Sequence, residues 1–163
     1  MMTLVDWQKQ LDQHFRRLRE ERSAAVGDKP IFALEHGLDT SELQELADQI
    51  RSHIVQFPPS DGHALPWIVY ASEIGYRYLG DEYWQTFEEE TPGWSFGERE
   101  WLRRAFQWFH RQYGGAEPCG AWAHHFSIIC WPITHSILPH DLQHHLARIL
   151  YEIRHIFSSK LLE

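Results

Sequence analysis

Cysteine is scarce in this 163-residue sequence: Cys119 and Cys130 are the only two. Neither lies in a CxxC pair, so they make no disulfide framework, and a reducing cytoplasm is the compartment they fit. The glycine signatures of phosphate and nucleophile chemistry are missing. There is no GxxxxGK[ST], no GxGxxG after a strand and no GxSxG, which excludes a P-loop ATPase, a Rossmann enzyme and an α/β-hydrolase within these residues. No HExxH is present either. Long apolar runs are lacking. The densest stretches, 64–71 and 126–138, are too short or too polar to span a bilayer, and the first residues already carry Asp6, Lys9 and Asp12, unlike a signal peptide. No membrane is therefore expected as a partner. Positive charge is in short supply, with 15 Lys and Arg against 23 Asp and Glu. A net charge of −8 disfavours bulk nucleic-acid binding, which neutralises phosphates with a basic face, and favours meeting proteins or small molecules.

What the chain has is apolar and aromatic surface. Hydrophobic residues make up 43%, and eight Trp, nine Phe and six Tyr are present. That is enough to bury a core without disulfides or metals. The spacing of these residues is helical. Leu4, Trp7, Leu11, Phe15 (or His14) and Leu18 form a stripe over a helix predicted at 4–25, with Thr3 and Asp6 as a weak capping box. Leu43, Leu46, Ala47, Ile50 and Ile54 mark a second helix, opened by Asp39 or Thr40 and stopped by Phe57-Pro58-Pro59. A third, from about Pro66, carries Trp67, Ala71, Ile74 and Tyr78 on one face with Ile68, Gly75 and Leu79 beside them, an arc wide enough for a central position. Tyr83, Trp84 and Phe87 face inward from a short helix over 82–89. Ser95 caps 96–113, where Trp101, Ala105 and Trp108 form one row, Leu102, Phe106, Phe109 and Tyr113 the next, and His110 falls with the polar residues. Further helices are predicted at 121–131 and 139–157. No run alternates like a strand. The expected fold is all-α, six or seven helices in a bundle or irregular helical array with no substantial sheet. Residues 1–161 read as a single helical domain, a fragment of a larger protein, with Leu162-Glu163 resembling a cloning remnant.

Candidate chemistry is sparse. Seven of the twelve histidines fall within 114–163. His140 and His144 are four apart, so both could face one metal on a helix, which would still want a third ligand. The plainer reading is exposed polar helix residues. The same histidines could sense pH, although ordinary titration needs no switch. Cys130 sits in an apolar run and reads as an inert buried thiol, and no protease signature surrounds Cys119. Arg99, Arg103, Arg104 and Arg111 share a helix with aromatics, and Arg16, Arg17, Arg19 and Arg22 on the first helix could extend a basic strip able to contact phosphates, although Glu20 and Glu21 interrupt it. On a helix, however, the arginines and the aromatics separate to opposite faces. Glu88-Glu89-Glu90 point in different directions and read as a solvated face.

The stretch 131–142 sets Pro132 and Pro139 seven residues apart between apolar helices and reads as a kinked corner. It is similar, in outline, to parts of large bacterial helical proteins, some from phage-defence gene clusters; the likeness names no family and assigns no residue a role. The sequence thus points to a non-catalytic helical protein-interaction module of a larger bacterial protein, needing no cofactor and meeting a protein partner or the remainder of its parent chain. Trp94, in a turn flanked by glycine and serine, is the expected anchor residue; its alternative is a loop residue folded back onto the core. Two other readings are a nucleic-acid-contacting subunit of an anti-phage defence system, through the arginines, and a metal-dependent enzyme using the C-terminal histidines.

Overall fold

The computed structural model describes residues 2–23, 31–77, 83–95 and 97–114. Five α-helices run through them: α1 (Leu4–Ser23), α2 (Thr40–Ile54), α3 (Ala64–Arg77), α4 (Tyr83–Glu90) and α5 (Glu98–Tyr113). Two single 3-10 turns, Ala33–Glu35 and Asp61–His63, lead into α2 and α3. There is no strand among the described residues. The all-α expectation holds there; the helices predicted at 121–131 and 139–157, with both cysteines, lie outside the described residues.

Local chemistry explains the helix ends. The Asp6 amide donates to Thr3 Oγ1 at 3.2 Å, and the Thr3 amide and hydroxyl donate to Asp6 Oδ2 at 3.0 and 2.7 Å, closing the capping box of α1. Asp39 and Glu42 do the same for α2, each carboxylate accepting the other's amide at 2.9 Å. α2 ends where the His53 carbonyl accepts from the amides of both Gln56 and Phe57, just before two prolines that cannot continue the ladder. At the start of α5 the Glu98 carboxylate accepts from the Ser95 amide at 2.7 Å; Ser95 contributes through its backbone, not through its hydroxyl as expected. α5 closes on Gly114 at φ 79°, a left-handed conformation where a side chain would also run into the Arg19 guanidinium.

α3 is the central element. It packs against α1, α2, α4 and α5, and Trp67, Ile68, Val69, Ala71 and Ile74 are wholly buried. Around it lie Trp7, Leu11 and Phe15 of α1, Leu46 and Ile50 of α2, Tyr83 and Phe87 of α4, and Leu102, Phe106, Phe109 and Tyr113 of α5. Among the described residues, the predicted stripes face this core except at Trp108, expected in a row with Trp101 and Ala105 but lying at the edge of the buried arc, 37% exposed. His110 does not fall with the polar residues: it sits one turn beyond Phe106, on the buried arc, and is 2% exposed. Its ring lies against Phe106 and Phe109, and burial pushes its pKa down to about 3.

Polar ties hold the helices in register. Tyr113 Oη donates to Asp12 Oδ1 at 2.5 Å, while Arg16 Nε donates to Asp12 Oδ2 at 2.8 Å. Burial pushes the Asp12 carboxyl up, but the hydrogen bonds from Arg16 and Tyr113 outweigh it and leave the pKa lowered. Tyr70 Oη reaches Thr91 Oγ1 at 3.0 Å and the Glu90 carbonyl at 3.1 Å, which pins the turn after α4 to α3.

Candidate functional site

Trp94, the anchor expected from the sequence, is folded back onto the core. The turn through Pro92 and Gly93, with Gly93 at φ 102° and the Trp94 amide donating to the Thr91 carbonyl at 3.0 Å, directs the chain inward. The indole packs 4.9 Å from Phe87 and 5.4 Å from Trp67, stacks on Trp84 and is 9% exposed.

The candidate arginines do not make one basic strip. Arg16 is held by Asp12, Arg17 stands 3.8 Å from Glu21, and Arg103 stands 3.5 Å from Glu100. Arg99 pairs with Glu88 and lies over the Trp84 ring at 5.0 Å. Arg111 donates to the Gln107 carbonyl at 3.2 Å, and Arg104 is exposed. Arg99 and Arg111 are twelve residues apart on α5, roughly 18 Å along the axis. The three consecutive glutamates diverge as expected: Glu88 goes to Arg99, Glu90 to Arg77 and Glu89 to Gln85. His140 and His144 lie outside the described residues. Among the described residues no three His, Cys, Asp or Glu converge as metal ligands, and no helix is long and apolar enough to cross a membrane.

Two histidine pairs resemble catalytic pairs and are better explained as structure. His36, 6% exposed, accepts the Leu38 amide on Nδ1 at 3.0 Å and therefore donates from Nε2 to Glu73 at 3.0 Å. Both ring nitrogens are spent on structure: Nδ1 holds the connector's own turn, and Nε2 ties the connector to α3. Ser60 Oγ lies 3.1 Å from His63 Nδ1, a contact internal to one 3-10 turn. Among the described residues no carboxylate orients the far nitrogen of His63, as an activated serine would need.

Among the described residues, three elements meet around a groove of about 270 Å³. The start of α1 supplies Thr3, Leu4 and Val5; α2 supplies Gln49, Ser52, His53 and Gln56; Phe57 follows α2, and His63 comes from the turn before α3. The α2 residues recur at steps of three and four, so they form one face of that helix, beside the buried Leu46, Ile50 and Ile54. His53 lies between two rings, 5.5 Å from Phe57 and 5.1 Å from His63, edge to face with the latter. Its Nε2 is buried without a hydrogen-bond partner. Burial lowers the pKa of His53, and the charge His63 would carry lowers it further; burial lowers that of His63 as well. Both rings are therefore neutral at pH 7. Leu4 forms a buried floor, while Val5 and Phe57 stand 49% and 57% exposed.

No Asp, Glu, Lys or Arg lines this groove, although charged residues make up 23% of the chain. Sequence reading missed the site because its walls lie far apart in the chain. The available signal was the uncharged face Gln49, Ser52, His53 and Gln56 on a helix whose other exposed positions include Glu42, Glu45, Asp48 and Arg51. No protein-family model, no curated protein and no solved structure matches the chain.

Proposed function

We propose that this chain is a non-catalytic helical interaction module that docks a protein segment, from a partner or from a longer parent chain, in the groove between α1, α2 and the turn before α3. The observation that carries this reading is a charge-free lining next to two exposed apolar side chains, Val5 and Phe57, on a strongly acidic protein. Interface centres are depleted in charge and enriched in aromatics, and a few apolar anchors supply most of the binding energy. The volume supports a side chain as occupant: about 270 Å³ falls below the usual range of ligand and cofactor pockets. Gln49, Ser52 and Gln56 offer donors and acceptors for the backbone of a docked segment. Phe57 thus takes the anchoring part that the sequence suggested for Trp94.

Capture from a lysate of the organism that encodes the chain, with and without nuclease, tests this. A protein retained after nuclease by the wild type and lost by Phe57→Ser supports docking in the groove. Retention by both proteins contradicts it, and loss of all captured material on nuclease moves the arginines to first place.

A further inference from the structure

Two titratable rings, His53 and His63, lie in contact in a groove whose lining holds no charged side chain. In the imidazolium form of His53 the Nε2 atom carries an N–H, and that atom is buried with no acceptor beside it. His63 has only the Ser60 hydroxyl at Nδ1. The carboxylates on the surrounding elements are engaged elsewhere. On α1, Asp6 accepts from Thr3 and feels the charge of Lys9. On α2, Glu45 accepts the Met2 amide, and Asp48 is held by Gln44 and by Arg51, which also donates to the Glu90 carbonyl. In the turn before α3, Asp61 accepts the indole N–H of Trp101 at 2.9 Å. Burial therefore disfavours charge on both rings, the charge of His63 disfavours it further on His53, and no carboxylate offsets either effect.

We infer that the His53–His63 pair is a proton-operated release for the docked segment: the neutral rings accept an apolar side chain into the groove, and protonation of either ring expels it. The inference rests on the docking reading of the same groove and adds its regulation. An apolar occupant takes the remaining water away from the rings, so the bound state disfavours their charge more than the free state does. Binding and protonation thus oppose each other. By linkage, acid weakens docking only to the extent that docking lowers the midpoints of the rings, so each effect measures the other.

The probe is a twelve-residue peptide lacking histidine, selected from a random phage-displayed library on the full chain at pH 7.5 and counter-screened on Phe57→Ser. Its Kd, read by fluorescence anisotropy, should rise about three- to tenfold from pH 7.5 to 5.5 with the wild type and stay level with the His53→Gln, His63→Gln double variant. A second readout needs no variant: in NMR titrations of the histidine Cε1 protons, saturating peptide should move the midpoint of at least one of the two rings to lower pH. A Phe57-dependent peptide that binds equally or more tightly at pH 5.5, that leaves both midpoints in place, or that loses as much affinity in acid with the double variant overturns the release inference and leaves the docking reading standing. If no selected peptide depends on Phe57, the docking reading falls and the inference with it.

Discussion

His53 and His63 meet edge to face with ring centroids 5.1 Å apart, one from the last turn of α2 and the other from the turn that begins α3. With Phe57 on the other side of His53, they make a row of three rings along one wall of the groove. The row exists because the two prolines after Phe57 end α2 and return the chain to its side.

This pairing sets the pH response of the groove. Burial, and for His53 also the neighbouring His63, favours the neutral rings. Both should titrate below 6.5 in an NMR titration of their Cε1 protons, and docking should weaken as the pH falls through those midpoints. A midpoint above 6.5 for either ring would contradict the described environment.

His110 governs acid stability. Its pKa is pushed down to about 3, so the unfolded chain binds its proton first. The neutral, buried ring stabilises the fold in full above the unfolded value near 6.5, and that contribution drains away as the pH falls toward about 3. His53 and His63, also lowered by burial, add to the loss in the same window with the same sign, whereas the lowered carboxyls of Asp6 and Asp12 lose their contributions only below about 4. Between pH 7.5 and 4.5 the loss from His110 amounts to about 2–3 kcal/mol. Urea unfolding of wild type and His110→Phe at the two pH values isolates it: the substitution should reduce the pH dependence by that amount, leaving the smaller part that His53 and His63 carry.

Tyr113 locks the end of α5 to α1. Removing its hydroxyl leaves Asp12 with Arg16 alone, while the ring keeps its packing against Phe15 and Phe109. Tyr113→Phe should cost about 1.5–3 kcal/mol in chemical denaturation, the ordinary effect of a lost hydrogen bond to a charged group. An unchanged midpoint would mean the 2.5 Å contact contributes nothing.

Trp94 and Phe57 should behave in opposite ways. Trp94 is enclosed by Trp67, Trp84 and Phe87, so Trp94→Ala should destabilise by about 3–5 kcal/mol. Phe57 is more than half exposed, so Phe57→Ser should leave the melting temperature within a few degrees of wild type and affect binding alone. Thermal melts of the two variants side by side check both.

The described helices were legible from their periodic stripes, and several of their ends from residues with one local meaning: Thr3 with Asp6 before α1, Asp39 or Thr40 at the start of α2, and Pro58-Pro59 after it. Interior assignment failed where residue type and position disagreed. His110 is polar by type but lies four residues after Phe106, on the buried arc, and position decided. Trp94 is apolar in a turn, and a turn alone does not say which way the ring points; that follows from Gly93 and from Tyr70 holding Thr91. The groove was illegible for a different reason. Leu4, His53 and His63 share no local pattern, and only the packing of α1 and α2 on α3 brings them together.

Site-specific photo-crosslinking tests the docking claim most directly. A benzophenone amino acid is placed at Phe57 and, as a control, at Tyr76, which is 68% exposed on α3 and outside the groove. Both proteins are irradiated in the cells that encode the chain. Docking in the groove predicts one dominant protein adduct from position 57, abolished by Val5→Glu, and none from position 76. No adduct at 57, or the same adducts at both positions irrespective of Val5, would contradict it.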